Sequence, residues 1–122
     1  MLYQTANKKM YRFCFLLFLI FNLTIKSQAQ KYFEVSTIDS AQVKVYAVDK
    51  PEDADLLVFY VYETKDVTRI GLWMQVTTKK EANFFLIFVD DEKLANLKIC
   101  LVDAPEQAVL KNETKKELLK ME

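Results

Sequence analysis

The chain has 122 residues, 17 basic and 17 acidic, with 52% apolar residues, no histidine and a single glycine. That length allows one domain. The missing histidine removes the commonest general base and metal ligand, and one glycine excludes a glycine-rich phosphate loop.

The first segment reads as a leader. Residues 1–12 carry Lys8, Lys9 and Arg12 and no acid, residues 13–21 are all apolar, and Ser27-Gln28-Ala29 puts small residues where a signal peptidase reads them. The expectation is a secretory signal peptide over residues 1–29, cleaved between Ala29 and Gln30, whether translation starts at Met1 or Met10. Its apolar stretch falls short of the roughly 20 residues that span a bilayer, so no stable membrane insertion is expected after cleavage. The chain would then work in the periplasm or outside the cell. From Gln30 onward it holds 13 basic and 17 acidic residues. An acidic domain without a basic cluster is a poor ligand for nucleic acid, whose binding rests on neutralising phosphates. Of the two cysteines only Cys100 lies beyond the leader; a lone cysteine makes no internal disulfide.

Residues 30–110 are built on a unit of thirteen residues. Valine recurs at Val35, Val48, Val61, Val76, Val89 and Val102, each step being thirteen except one of fifteen between Val61 and Val76. A fixed period has to be read before any other feature of a fold. In each unit a run of apolar and β-branched residues ends on the valine, as in 43–48, 56–61, 84–89 and 97–102, and such runs read as strands. Weaker copies lie at 31–35 and 71–76. Side chains alternate across a strand, and Val43, Val45, Leu56, Val58, Phe84, Leu86, Leu97 and Ile99 place one face in a core. The other face carries Tyr46, Phe59, Ile87 and Cys100 and is too apolar for open solvent. The expected fold is all-β with short helical turns: one domain of six to seven strands in a closed or two-layered sheet. A ring with non-sequential strand neighbours, even a threaded one, is the other arrangement that the repeat allows. Antiparallel neighbours are the simpler expectation, because seven residues are fewer than a parallel crossover usually takes.

Between strands, Asp49-Lys50-Pro51-Glu52, Asp103-Ala104-Pro105-Glu106 and Thr78-Lys79-Lys80-Glu81 have the spacing of a capping box. The alanines that follow, among them Ala54 and Ala108, suit a tight junction of turn and sheet. Residues 63–70 form a longer loop that absorbs the irregular step. Residues 111–122 form a polar tail, partly helical or disordered, and Val109-Leu110 starts a seventh strand.

The units around Ala41 to Asp49, together with Gly71-Leu72-Trp73, resemble a bacterial family known as domain of unknown function 6150. That resemblance implies a β-rich repeat domain and carries no activity.

Candidate sites are few. Cys100 occupies a strand column filled elsewhere by Tyr46, Phe59 and Ile87, the place of a small hydrophobe. Asp49, Asp53, Asp55, Asp90 and Asp91 cluster near turns; hard cations take several carboxylate oxygens, so these are weak calcium candidates set against a plain capping role. No cofactor is implied. Tyr62 replaces the turn aspartate of other units and should lie at the rim. With Trp73, Lys65 and Arg69 around the irregular loop it makes the most site-like patch for an envelope protein or glycan. The function expected is a non-catalytic exported protein that binds or stabilises an envelope component. The alternatives are a small hydrolase or lyase using turn carboxylates, and a self-assembling envelope scaffold.

Overall fold

The computed structural model of the protein describes residues 30–119; the expected leader, residues 1–29, lies outside the described residues. Seven strands follow in order: β1 (Lys31–Glu34), β2 (Val43–Ala47), β3 (Leu56–Tyr60), β4 (Leu72–Gln75), β5 (Phe84–Phe88), β6 (Leu97–Leu101) and the two-residue β7 (Val109–Leu110). Six of them close a ring in the order β1-β5-β2-β6-β3-β4. Every pairing within that ring is parallel, and β7 lies antiparallel on the first half of β3.

Parallel strands correct the antiparallel expectation, and the register supplies the reason. Glu34 at the end of β1 pairs with Leu86 of β5, and Leu86 pairs in turn with Val43 at the start of β2. The exit of one strand therefore stands two strand spacings, about 10 Å, from the entry of the next. The stagger of the ring replaces a long return crossover. Each connection instead bridges the strand lying between, and the chain advances by two places around the ring. Between β3 and β4 it advances by one. That single short step, the fifteen-residue one, drops the second circuit of strands into the gaps left by the first.

The valine column marks the strand exits. Each of its six residues donates its N–H to a carbonyl on the adjoining strand, as Val35 does to Leu86 and Val48 to Ile99, 2.9 and 2.8 Å. Strand entries carry a second device, which the sequence reading passed over. Gln42, Asp55, Asn83 and Asn96 occupy one position of the repeat. Each side-chain oxygen accepts a neighbouring strand's N–H, from Phe85, Lys98, Lys31 and Lys44 respectively, at 2.8–3.0 Å. Their own N–H groups return bonds to the same four residues. Two bonds to one partner pin the register, in which a slip of one residue would turn every side chain to the wrong face.

Six three-residue 3₁₀ turns join the strands, from Ile38–Ser40 to Pro105–Gln107. They start one residue later than the capping pattern placed two of them: Lys50 and Ala104, not Asp49 and Asp103, hold the N-cap positions. Thr78 is an N-cap but makes no side-chain cap bond. Asp91 does cap, accepting from Lys93 N at 3.0 Å, and Gln107 Oε1 accepts from Asp103 N and Ala104 N. At the far end of these turns Ala41, Ala54, Ala82, Ala95 and Ala108 return their N–H to the first turn residue.

Inward residues stack in layers. Tyr32, Val45, Val58, Trp73, Leu86 and Ile99 form the middle layer and are all buried; a fully buried side chain of this class contributes roughly 1.5–3 kcal/mol. The layer at the strand entries holds Gln30, Val43, Leu56, Phe84 and Leu97, also buried, with Gly71 in the sixth place. Gly71 has φ +96°, and a Cβ there would stand 2.8 Å from Leu57 O and 3.0 Å from the Ala108 methyl.

Candidate functional site

The two ends of the barrel differ. At the strand entries, hereafter the base, Ile70 and Leu110 pack on the core and Leu119 joins it, 3% exposed. Leu119 comes from the segment expected to be a polar tail, which is helical over Glu113–Leu119. Asp55 holds this segment: its Oδ1 accepts from Asn112 Nδ2 at 3.0 Å, and its main-chain oxygen accepts from the N–H groups of Lys111 and Asn112.

At the strand exits, hereafter the mouth, the top layer is Glu34, Ala47, Tyr60, Gln75, Phe88 and Leu101, one residue before each valine. Glu34, Ala47, Gln75 and Leu101 are exposed and Tyr60 and Phe88 are half-buried. The rings of Tyr60 and Phe88 rest on Tyr32, with centroids 6.2 and 6.4 Å away. Burial pushes the Tyr32 hydroxyl well above the usual tyrosine range, helped by its side-chain hydrogen bond with Tyr60 and the nearby Glu34 carboxylate. Burial also raises Tyr60, while the bond with Tyr32 partly offsets the rise. Between the exits of β1 and β4 runs a groove of about 470 Å³ lined by Glu34, Gln75, Phe33, Ser36 and Thr77. Tyr62 stands two residues beyond Tyr60 and is 86% exposed. The mouth thus offers aromatic faces for stacking beside a carboxylate and an amide that can hydrogen-bond.

The expected binding patch divides in the structure. Tyr62 lies at the rim, as its place in the turn implied. Trp73 does not join it: it is fully buried in the middle layer, its ring 5.6 Å from both Tyr32 and Phe84, and its Nε1 donates to Gln30 Oε1 at 2.8 Å. The repeat already placed Trp73 in the column of Val45 and Val58. Arg69 is a clamp on the other side of the chain, donating to the main-chain oxygens of Ala108 and Pro105. Lys65 is exposed and pairs with Glu63 at 3.2 Å; it borders a separate groove of about 430 Å³ between the irregular loop and Pro105.

The carboxylate candidates do not converge. Both Asp55 oxygens are engaged, Oδ2 by Lys98 N and Oδ1 by Asn112. Asp49 and Asp53 line a groove of about 360 Å³ with Glu92, but Lys50 and Lys98 line it too. Lys98 Nζ pairs with Glu92 Oε1 at 2.8 Å, and that bond raises the lysine's pKa. Among the described residues no three acidic, histidine or cysteine side chains group as a cation site. Cys100 is buried, and its Sγ lies near the carbonyls of Asp49 and Leu101.

A family model described as the 7(1) septoil knot domain matches residues 29–111. The chain belongs to that family. This replaces the resemblance to domain of unknown function 6150. The residues that carried the resemblance have structural places in this barrel: Gly71 at a close approach, Trp73 in the middle layer, Ala and Asp at the junctions of turn and strand. A torus knot is laid by winding a cord around a ring in interleaved circuits, and the strand order of this septoil knot domain has that interleaving. Comparison with curated proteins gives no match, and comparison with solved structures gives none.

Proposed function

We propose that the chain is exported and acts as a non-catalytic binding module for a component of the cell envelope, a glycan or a protein, engaged at the mouth of the barrel. The reading rests on one contrast: the base is covered by Ile70, Leu110 and, from beyond the repeats, Leu119, whereas the mouth leaves Tyr62 and Leu101 exposed, 86% and 56%, above a half-buried aromatic pair. Apolar surface of this kind, rimmed by polar side chains, is the usual mark of an interaction site. Stacking on Tyr62 and Phe88, with hydrogen bonds to Glu34 and Gln75, is the recognition this layer supplies. Turn carboxylates gain nothing comparable, since their oxygens are held or dispersed. Edge-to-edge assembly loses its template in a ring that leaves the six parallel strands no free edge.

Cosedimentation of the exported chain with envelope fractions of its host tests the reading. Wild type should sediment with one fraction, and Tyr62→Ala and Leu101→Asp should stay in solution while keeping their denaturant midpoints. Equal sedimentation of all three proteins would overturn the assignment of the mouth. Enzymatic removal of glycan or of protein from the fraction then separates the two ligand classes.

A further inference from the structure

The charges around the mouth are of one sign. The residue before each valine of the column and the residue after it make twelve places there; four hold carboxylates, Glu34, Asp49, Asp90 and Asp103, and none holds a cation. Elsewhere the acidic side chains are put to use. Asp55 is held by Lys98 N and Asn112, Asp91 caps a turn, Glu92 pairs with Lys98 and Glu63 with Lys65. Among the described residues neither an ion pair nor a hydrogen bond engages the four carboxylates at the mouth. Glu34 faces the aromatic floor, close enough to the Tyr32 and Tyr60 hydroxyls for its charge to be felt by both. At the opposite end, Lys111, Lys115 and Lys116 lie in the chain that crosses the base.

We infer that the mouth docks a basic segment of a partner protein, with one lysine or arginine resting on the aromatic floor within reach of Glu34 and further cations meeting the aspartates of the rim. The inference rests on the binding reading above and names the chemistry of its ligand. A cation is attracted to the face of an aromatic ring, and Tyr60, Phe88 and the exposed Tyr62 supply such faces. The stem of a lysine or arginine lies along apolar surface while its head stays polar, and Leu101, 56% exposed, offers that surface. Complementary charge sets register and speeds encounter. It also favours a polypeptide over a glycan here, because a neutral sugar could use Glu34 as an acceptor but would leave three aspartates with nothing to neutralise.

The test uses the exported chain and fluorescence anisotropy with labelled probes. These are a peptide of alternating lysine and alanine, about ten residues or roughly 33 Å when extended, its glutamate counterpart, and an oligomer of N-acetylglucosamine. The lysine peptide should bind about tenfold or more tighter than the glutamate peptide. Glu34→Gln should weaken that binding about tenfold, and Tyr62→Ala about fivefold or more. Glu34 is exposed and unbonded, so its replacement leaves the fold intact, which the urea midpoint checks. Glu113→Gln, in the chain across the base, removes the same charge far from the mouth and should change binding less than about twofold. Equal losses for Glu34→Gln and Glu113→Gln would reduce the attraction to net charge and overturn the inference. Tighter binding of the sugar oligomer, lost in Tyr62→Ala, would overturn it as well and leave the mouth a glycan site. So would a chain that binds no probe yet still sediments with envelope through Tyr62. If no probe binds and sedimentation is indifferent to Tyr62→Ala, this inference and the binding reading fall together.

Discussion

The base and the mouth of this barrel are made from equivalent positions of one repeat, yet they end differently. At the base the inward residues meet Ile70, Leu110 and Leu119; Leu110 continues the column of Leu97, and Leu119 comes from beyond the repeat. At the mouth no described residue from beyond the repeat is added, and Leu101 remains 56% exposed. A ring of repeats closes its sides by strand pairing but not its ends. Each end needs further chain to cover it, and among the described residues the base has more of it than the mouth. Stability should therefore be concentrated at the base and binding at the mouth.

Substitutions at the two ends can break that division. Gly71→Ala combines a left-handed backbone with contacts at 2.8 and 3.0 Å, and it should cost about 3 kcal/mol or more in urea unfolding. Leu119→Ala empties a buried place and should cost roughly 2–3 kcal/mol, against less than about 1 for Leu101→Ala. Similar losses for the two leucines would remove the contrast. Asp55→Ala strips Lys98 N and Asn112 of their acceptors and should lower stability by about 1–3 kcal/mol. Limited proteolysis should then release the segment after Lys111 first. A pH series sharpens the picture within the core. The folded state raises Tyr32 and Tyr60 above the unfolded tyrosine value, so their contribution is complete below about pH 10 and fades as pH climbs past it. The urea midpoint should fall in that alkaline range, less steeply for Tyr32→Phe. The smallest effect belongs to Tyr62→Ala, within about 0.5 kcal/mol of wild type, although it should abolish envelope binding.

Much of the barrel could be read from the chain because its repeat is nearly regular. The valine column located the strand exits, and alternation along 43–47, 56–60, 84–88 and 97–101 separated the inward layers from the outer face. Strand direction could not be read that way, since hydrophobic period reports which face is buried and is silent on the neighbour. Bonded neighbours such as Lys31 and Asn83 stand 52 residues apart, and Asp55 and Lys98 stand 43 apart. Trp73 was misplaced for a different reason: its proximity to an irregular loop outweighed its column in the repeat, which the packing obeyed. Gln42, Asp55, Asn83 and Asn96 carried a signal that was present and went unused, a side-chain carbonyl group at one fixed position. Leu119 had no signal at all beyond being apolar in a charged segment, because what buries it is the open base of a barrel formed by other residues. Within the mouth, Tyr62 stood out by breaking the turn pattern, whereas Glu34, Gln75 and Phe88 became neighbours only once the ring had closed.

The interleaving of the two circuits sets an order in time. Apart from β3 with β4, a strand of the first circuit finds its partners among residues 43 or 52 positions away, so almost no native pair of strands is local. Loops of that size must close before any contact rewards them, and chains dominated by such contacts fold slowly, in milliseconds to seconds. A chain emerging from the ribosome at about 5–20 residues per second holds its first three strands without most of their partners until the second circuit has been made. Through that interval it is without its barrel, an unfolded chain that has no closed ring to undo before it passes a narrow channel.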